Sequence, residues 1–148
     1  MRLAQYTDYS LRALMYVGLR EGELSTIRNI SDAYDISRSH MMKIVQKLVH
    51  EGYLEAVRGR EGGLRLARAP ETIRLGDVVS TMEPDLGLVE CFRTGKQCVI
   101  QPACKLASAL ESALKAFIDQ LNRFTLADLI VDGSSTRLVR LLDLESGT

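Results

Sequence analysis

Apolar residues near the start of the chain recur at helical spacing and predict an amphipathic helix from Asp8 to Arg20. Its buried stripe is expected to consist of Leu11, Leu14, Met15 and Leu19. Thr7 or Asp8 is predicted to cap the N-terminus of this helix with a side-chain oxygen.

Two further helices follow and are predicted to be joined by a short turn. Ser25 or Thr26 opens the first, which ends at Asp35. The second is predicted over residues 37–51, and Gly52 supplies the positive φ of its C-cap. Its buried stripe is expected to be Met41, Ile44, Val45 and Leu48. Two helices joined by three or four residues are typical of a helix-turn-helix unit.

A β-hairpin is predicted next. Residues 53–57 and 64–67 alternate in polarity or favour β-structure, and the glycine-rich, basic segment 58–63 separates them. Helix, helix-turn-helix and hairpin in this order predict a mainly α, α+β fold. Residues 1–70 are therefore expected to form a winged helix-turn-helix DNA-binding domain.

Residues 71–132 are predicted to form a second part with a cysteine-bearing loop and dimerisation helices. Short helices are expected over residues 73–82 and 125–131, and residues 85–103 show no periodicity and are expected to form a loop. A long helix begins at Cys104, with an apolar stripe at Leu106, Leu110, Ala113, Phe117, Leu121 and Phe124. We expect this stripe to pair with a second copy in a homodimer, and a core helix within one chain is the alternative. Residues 133–148 are predicted to be a flexible tail.

The composition is that of an ordinary globular domain. With 46% hydrophobic and 26% charged residues, the chain is neither low-complexity nor disordered. The longest apolar stretch, Ala13 to Leu19, is far shorter than the ~20 residues of a membrane span, and the N-terminus lacks the apolar core of a secretory signal. We therefore expect a cytoplasmic protein without a membrane partner, whose three cysteines are thiols.

Charge is distributed unevenly although the formal net charge is zero. Residues 1–70 hold eleven Lys or Arg against eight Asp or Glu, net +3, and residues 71–148 hold eight against eleven. The outward face of the 37–51 helix carries hydrogen-bond donors and no acid before Glu51, as expected of a helix that reads the major groove of DNA.

DNA contacts are predicted for two groups of side chains. The helix contributes base or phosphate contacts from Arg38, Ser39, His40, Lys43 and Lys47. The hairpin tip contributes Arg58 and Arg60 to a minor groove. A solvated helix face and a protein-interaction module are the alternatives. A P-loop is improbable, because its Gly-Lys-Ser/Thr ending is absent.

The three cysteines fall in one segment, as Cys91-x6-Cys98-x5-Cys104. An odd number of clustered cysteines argues against a disulfide framework and favours a metal site. Structural zinc sites usually contain closely spaced Cys-x2-4-Cys pairs, which are absent. The wider gaps suit an iron–sulfur cluster, whose irons prefer sulfur ligands. Unliganded thiols and a thiol–disulfide switch are the alternatives, and a fourth ligand is left open: water, a small thiol or another side chain.

Several motifs together resemble one bacterial family, the Rrf-two type winged-helix regulators, many of which carry iron–sulfur clusters. The resemblance extends over almost the whole chain to about Val131 and is strongest to the branch that senses nitric oxide. The motifs are Tyr6-Thr7-Asp8-Tyr9, Leu11-Arg12-Ala13-Leu14, Ser37-Arg38-Ser39-His40-Met41, Val57-Arg58-Gly59 with Gly62-Gly63, Ile73-Arg74-Leu75-Gly76-Asp77-Val78-Val79, Pro102-Ala103-Cys104 and Phe124-Thr125-Leu126-Ala127-Asp128-Leu129.

The resemblance implies a ligand set for the cluster. Cys91, Cys98 and Cys104 hold it, Asp8 of the partner subunit is the fourth ligand, and Arg12 lies close by. A related branch has a histidine three positions after the last cysteine, where this chain has Ala107. A [4Fe–4S] cluster is favoured over a [2Fe–2S] cluster. The alternative for Asp8 is the helix cap described above.

The function implied is that of a homodimeric transcriptional repressor. It would bind an inverted-repeat operator in double-stranded DNA, because two-fold protein symmetry reads two-fold DNA, and release it when nitric oxide nitrosylates the cluster. The alternatives are a regulator of the same fold that senses iron–sulfur supply or redox state, and a small iron–sulfur electron carrier. No acid–base pair or nucleophile arrangement indicates an enzyme.

Overall fold

The computed structural model describes residues 1–94, 98–131 and 134–144. These residues form a mainly α-helical protein with one two-stranded antiparallel sheet, as the sequence predicts. The helices and strands are, in chain order, α1 Gln5–Leu19, α2 Ile27–Tyr34, α3 Arg38–His50, β1 Leu54–Val57, β2 Gly63–Leu66, α4 Leu75–Met82, α5 Glu90–Thr94, α6 Leu106–Leu121, α7 Leu126–Ile130 and α8 Ser134–Leu141. Short 3-10 turns cover Pro70–Thr72 and Gln101–Ala103.

The hydrophobic core surrounds α1, which packs against α3, α4, α7 and β2. The helical periodicity of the sequence places apolar residues of α3, α4 and α7 on the faces that meet α1. The largest fully buried apolar side chains are Leu14, Ile30, Met41, Ile44, Leu48, Leu54, Ile73, Val78, Val79, Met82 and Leu126. The helix-turn-helix and the segment after the hairpin thus share one core, with α1 between them.

The predicted helix-turn-helix is confirmed, and local capping explains its boundaries. Thr26 Oγ1 accepts from Asn29 N and Asn29 Oδ1 accepts from Thr26 N, a reciprocal capping box that starts α2. Asp35 ends α2 in the left-handed conformation at φ 53°. Ser37 then caps α3 by accepting from His40 N.

The predicted hairpin is also confirmed. Leu54 pairs with Leu66 and Val57 with Gly63. The backbone of Ser25, just before α2, exchanges two hydrogen bonds with Leu64, at 3.0 and 2.7 Å. These bonds fix the hairpin against the helix-turn-helix in the position of a wing.

The predicted cap of α1 is wrong. The helix starts three residues earlier than predicted, with Ala4 as its N-cap residue, so that Thr7 and Asp8 lie inside its first turn. The partner that replaces the cap comes from the end of α4: the Glu83 carboxylate accepts from Ala4 N at 3.1 Å and from Thr7 Oγ1 at 2.6 Å. A carboxylate that is distant in the sequence therefore accepts the hydrogen bonds at the start of α1. No side-chain pattern near the helix start predicts this partner.

Two segments contain more helix than predicted. Within the expected loop, α5 forms around Cys91 and a 3-10 turn precedes Cys104. Where a flexible tail is predicted, α8 forms and packs against α7, because Leu138 and Leu142 lie one helical turn apart and both are half-buried. The predictions for residues 95–97, 132–133 and 145–148 lie outside the described residues.

The long helix α6 contributes no buried residue, so the alternative of a core helix within one chain is not supported. Its stripe is exposed at Leu106, and Phe124 just beyond the helix is exposed as well. The C-terminal end of α6 is held by α4. Asn122 accepts from Asp77 N at 2.9 Å and donates to the Asp77 carboxylate at 3.0 Å.

We predict that Gly76→Ala destabilises the fold. A Cβ at Gly76 would lie 2.5 Å from both Ile118 O and Asn122 Oδ1, so α4 and α6 must move apart. Overpacking of this kind costs about 1–3 kcal/mol. Urea unfolding followed by circular dichroism measures the loss, and Ser80→Ala on the exposed face of α4 is the matched control. Equal unfolding midpoints for the two variants would contradict the close approach.

Candidate DNA-reading face and cysteine cleft

The free face of α3 presents three of the predicted DNA-contacting residues. Met41, Ile44, Val45 and Leu48 are buried against the core, which leaves the opposite side of the helix open. Arg38, Ser39 and Lys43 are exposed within its first two turns. These are positions from which a helix in the major groove reaches base edges.

His40 and Lys47 lie against α1, away from the centre of the free face. The His40 ring packs edge-on to Tyr9, with ring centroids 5.5 Å apart. The Lys47 Nζ lies 5.8 Å from the centroid of the Tyr6 ring. Both side chains are half-buried, so the freely exposed face of α3 is narrower than its helical periodicity suggests.

Tyr6 is a functional candidate that the sequence reasoning missed. Its hydroxyl donates to Lys43 O in α3 at 3.2 Å, and burial raises the pKa of that hydroxyl. Together with the Tyr9–His40 contact, this bond sets the position of α3 relative to α1. The two tyrosines stand in the Tyr6-Thr7-Asp8-Tyr9 motif, but nothing local indicates which helix they meet.

The wing presents both predicted arginines. Arg58 and Arg60 are exposed on either side of Gly59, whose φ of 117° strongly favours glycine. Behind the tip, Arg65 donates to Glu55 across the strands at 2.9 Å. That partner lowers the pKa of the Glu55 carboxyl. Arg65 is thus engaged within the hairpin, whereas the two tip arginines point to solvent.

The three cysteines line one cleft of about 600 Å³. Cys91 lies on α5, Cys98 precedes the 3-10 turn and Cys104 follows it, and all three are free thiols. Arg93 in α5 forms an ion pair with Asp85, and this pair holds α5 beside the cleft. The remaining lining is mainly apolar and includes Val89, Phe92, Val99, Ile100, Leu106 and Ala107.

This donor set fits an iron–sulfur cluster better than a single metal ion. Among residues 1–94, 98–131 and 134–144, no three His, Cys, Asp or Glu side chains are close enough to share one ion. A cluster of several irons holds its ligands farther apart than one ion does, and its irons prefer thiolate sulfur. The polarity of the surrounding side chains is one of the factors that tune such a group, and here the lining is mainly apolar.

Asp8 and Arg12 lie outside the cysteine cleft, on the outer face of α1. They form a two-bond ion pair, with Arg12 Nη2 to Asp8 Oδ2 at 2.9 Å and Arg12 Nε to Asp8 Oδ1 at 3.2 Å. Each side chain is 46% exposed, so Asp8 is accessible to a second molecule.

Aromatic side chains fix Arg12 from two sides. Its guanidinium carbon lies 5.8 Å from the Tyr9 ring centroid and 5.9 Å from that of Tyr34. The Tyr34 hydroxyl donates to Arg12 O, and burial raises the pKa of Tyr34 to about 12. Tyr34 is therefore a neutral donor near neutral pH, and it joins the end of α2 to the middle of α1.

Glu83 is a second candidate that sequence reasoning missed. It closes α4, holds the first turn of α1 and is followed at once by Pro84, where the chain turns toward the cysteines. Thr7, its hydroxyl partner, is fully buried. Glu83 places a carboxylate at the C-terminal end of α4, where the helix dipole favours a basic residue. This unfavourable placement is the only local signal of its role.

Helices long and apolar enough to span a membrane do not occur in the described ranges of the chain.

Comparison with known proteins places these features in a family context. The profile of the Rrf2 family, described as "Iron-dependent Transcriptional regulator", matches residues 3–132. The chain is 44% identical over 139 residues to the HTH-type transcriptional regulator NsrR of Bacillus licheniformis, covering 93% of this chain and 97% of that relative. It is 48% identical over 139 residues to the NsrR of Geobacillus kaustophilus, covering 93% and 95%. These relatives bear the names of transcriptional regulators, a non-enzymatic class.

Two solved structures share this fold over most of the chain. T. potens IscR superposes with a TM-score of 0.69 at 22% identity, over 89% of this chain and 88% of that one. CymR, the global cysteine regulator of B. subtilis, superposes with a TM-score of 0.65 at 22% identity, over 87% of this chain and 95% of that one. At these identities the likeness concerns the fold, and it confirms the predicted winged-helix class.

Proposed function

The chain belongs to the Rrf2 family of iron-dependent transcriptional regulators, and from this premise we propose that it is a homodimeric repressor that binds DNA and senses nitric oxide through an iron–sulfur cluster. The observation that carries the proposal is the pairing of two surfaces in one chain. A free, basic face of α3 lies beside the wing, and three free cysteines line one apolar cleft.

Cys91, Cys98 and Cys104 would hold the cluster, a [4Fe–4S] cluster in preference to [2Fe–2S], and Asp8 of the partner subunit would complete the ligand set. When bound, the cluster supplies irons that react with nitric oxide. The chemistry of Asp8 supports its role, because a carboxylate oxygen is a harder and weaker partner for such iron than thiolate sulfur. Arg12 would hold Asp8 in place, as its two bonds to that carboxylate suggest.

Dimerisation is supported by the apolar stripe of α6. Leu110, Phe117 and Leu121 are only half-buried within one chain, and Leu106 is 61% exposed. A second copy would remove this surface from water, which stabilises association roughly in proportion to the apolar area buried. The dimer would also bring Asp8 of one subunit to the cysteine cleft of the other.

DNA binding would use the exposed side chains of α3 and the wing. Arg38, Ser39 and Lys43 would contact base edges. At the margin of the same face, His40 would make a further base contact, and Lys47 is better suited to a phosphate. Arg58 and Arg60 would enter the adjacent minor groove. Two-fold symmetry of the dimer implies an operator with inverted repeats.

Helix α1 would couple the cysteine segment to the DNA-reading face. At its start, Glu83 binds Ala4 N and Thr7 Oγ1. One side of the same helix holds α3 through Tyr6 and Tyr9. A displacement of the segment after Glu83 would therefore reach α3 through direct contacts. A coupling of about 3 kcal/mol would change DNA affinity more than a hundredfold.

The decisive experiment purifies the protein without oxygen and measures its absorption spectrum and its DNA binding before and after stoichiometric nitric oxide. The probe is the duplex that the cluster-loaded protein selects from a random DNA library. We expect a coloured protein that binds an inverted repeat and releases it on nitric oxide addition. Cys98→Ala should lose the visible absorbance and the specific binding together, whereas Ser108→Ala, changed at an exposed residue that does not line the cleft, should keep both.

Other outcomes of this experiment identify the rivals. Release by oxygen or iron depletion and not by nitric oxide would indicate a regulator of iron–sulfur or redox status. A coloured protein that selects no duplex would indicate an electron carrier. Normal operator binding by Cys98→Ala, with or without nitric oxide, would refute cluster-dependent sensing.

Asp8→Ala tests the fourth ligand. We expect the cysteines to retain the cluster. Its circular dichroism in the visible range should change and its loss in air should be faster, because one iron loses the carboxylate oxygen that Asp8 would supply. Asp32→Ala is the matched control, since Asp32 is also an exposed aspartate paired with an arginine, Arg28, one turn away. An unchanged spectrum and an unchanged nitric oxide response would reduce Asp8 to a partner of Arg12.

Thr7→Val tests the coupling through α1. The substitution keeps the side-chain shape and removes a hydrogen bond to a carboxylate, an interaction that contributes about 1.5–3 kcal/mol. We expect operator affinity of the cluster-loaded protein to fall about tenfold while visible absorbance is retained, as measured by fluorescence anisotropy. The control is Thr81→Val, because the Thr81 hydroxyl donates to Asp77 O within its own helix. A lower unfolding midpoint with unchanged operator affinity would show that Thr7 acts on stability alone.

A further inference from the structure

The free face of α3 carries one large apolar side chain among its polar ones. Met42 is 45% exposed and is flanked by the exposed residues Ser39 and Lys43. His40 and Lys47 lie along one edge of this face and are half-buried against α1. Met42 therefore belongs to the part of α3 that remains open to a partner.

The chemistry of the major groove offers a specific counterpart for such a side chain. The base edges present hydrogen-bond donors and acceptors, and the thymine C5-methyl is the apolar group among them. Arg38, Ser39 and Lys43 match acceptors, but a thioether is at most a weak acceptor. Methionine is also unbranched and flexible, so it adapts its shape to a small apolar contact.

We propose that Met42 is a specificity-determining residue that recognises a thymine in each operator half-site by contact with its methyl group. The inference rests on the proposed DNA binding and adds to it a particular base and a particular atom. It does not depend on the cluster chemistry. It requires only that α3 lies in the major groove with its first two turns against the bases, as in other helix-turn-helix proteins.

The test replaces thymine by uracil, which removes the methyl group and keeps every hydrogen-bonding atom. Starting from the duplex selected by the cluster-loaded protein, each thymine of one half-site is replaced singly and the dissociation constant is measured. We expect one position at which uracil weakens binding of the unmodified protein about fourfold, the factor expected for one buried methyl group. Met42→Ala should bind the thymine duplex about fourfold more weakly per half-site and show no further loss with uracil.

Two variants keep the result interpretable. Met42→Leu retains an apolar side chain and should retain sensitivity to uracil. Gln46→Ala changes an exposed polar residue one turn later on the same helix and should leave the uracil effect at that thymine unchanged. Met42 is solvent-exposed, so circular dichroism should confirm that the alanine variant is folded.

The outcomes separate this inference from the proposed function. If the library yields no preferred duplex, DNA-sequence recognition itself fails. If a duplex is selected but no thymine responds to uracil, or if Met42→Ala shows the same uracil effect as the unmodified protein, the role of Met42 is overturned while DNA binding stands.

Discussion

The structure depends on the contact between the Glu83 carboxylate and the first turn of α1. A helix start leaves backbone N–H groups without partners and carries partial positive charge, so a carboxylate there both bonds and stabilises it. Because Glu83 ends α4, this one interaction sets α1 relative to the segment that leads to the cysteines. Helix α1 in turn holds α3 through Tyr6 and packs against α4, α7 and β2 on its buried side. The proposed sensor and the proposed DNA-reading face therefore meet on one helix.

Two apolar surfaces remain uncovered in a single chain, and they lie next to each other. The cysteine cleft is lined by exposed side chains such as Val99 and Ile100, and α6 begins at its rim with exposed Leu106. Exposed apolar patches of this kind mark interaction sites. A cluster in the cleft and a second copy along α6 would cover both, so that cofactor binding and assembly would stabilise the same region of the protein.

The elements that carry the proposed site were predictable to different degrees. Helix α3 was predicted well because its stripe of buried residues repeats at helical spacing and Ser37 caps it locally. The wing was predictable from the glycines between its two strands, and Gly59 has the positive φ that such a turn requires. The start of α1 was not predictable, because its partner is 76 residues away from Thr7. The orientation of His40 was missed because the aromatic ring that it meets, Tyr9, belongs to another helix.

The sequence by itself determined the order of the elements from α1 to α4, the buried face of α3 and the positions of the three cysteines along the chain. Periodicity, caps and turn glycines act over a few residues, so they can be read without knowing the fold. Only the tertiary structure decided that the three cysteines face one cleft, that α6 stays uncovered and that Glu83 holds α1. Those outcomes depend on how distant segments pack, and packing is set by the combined shape and polarity of all the surfaces that meet.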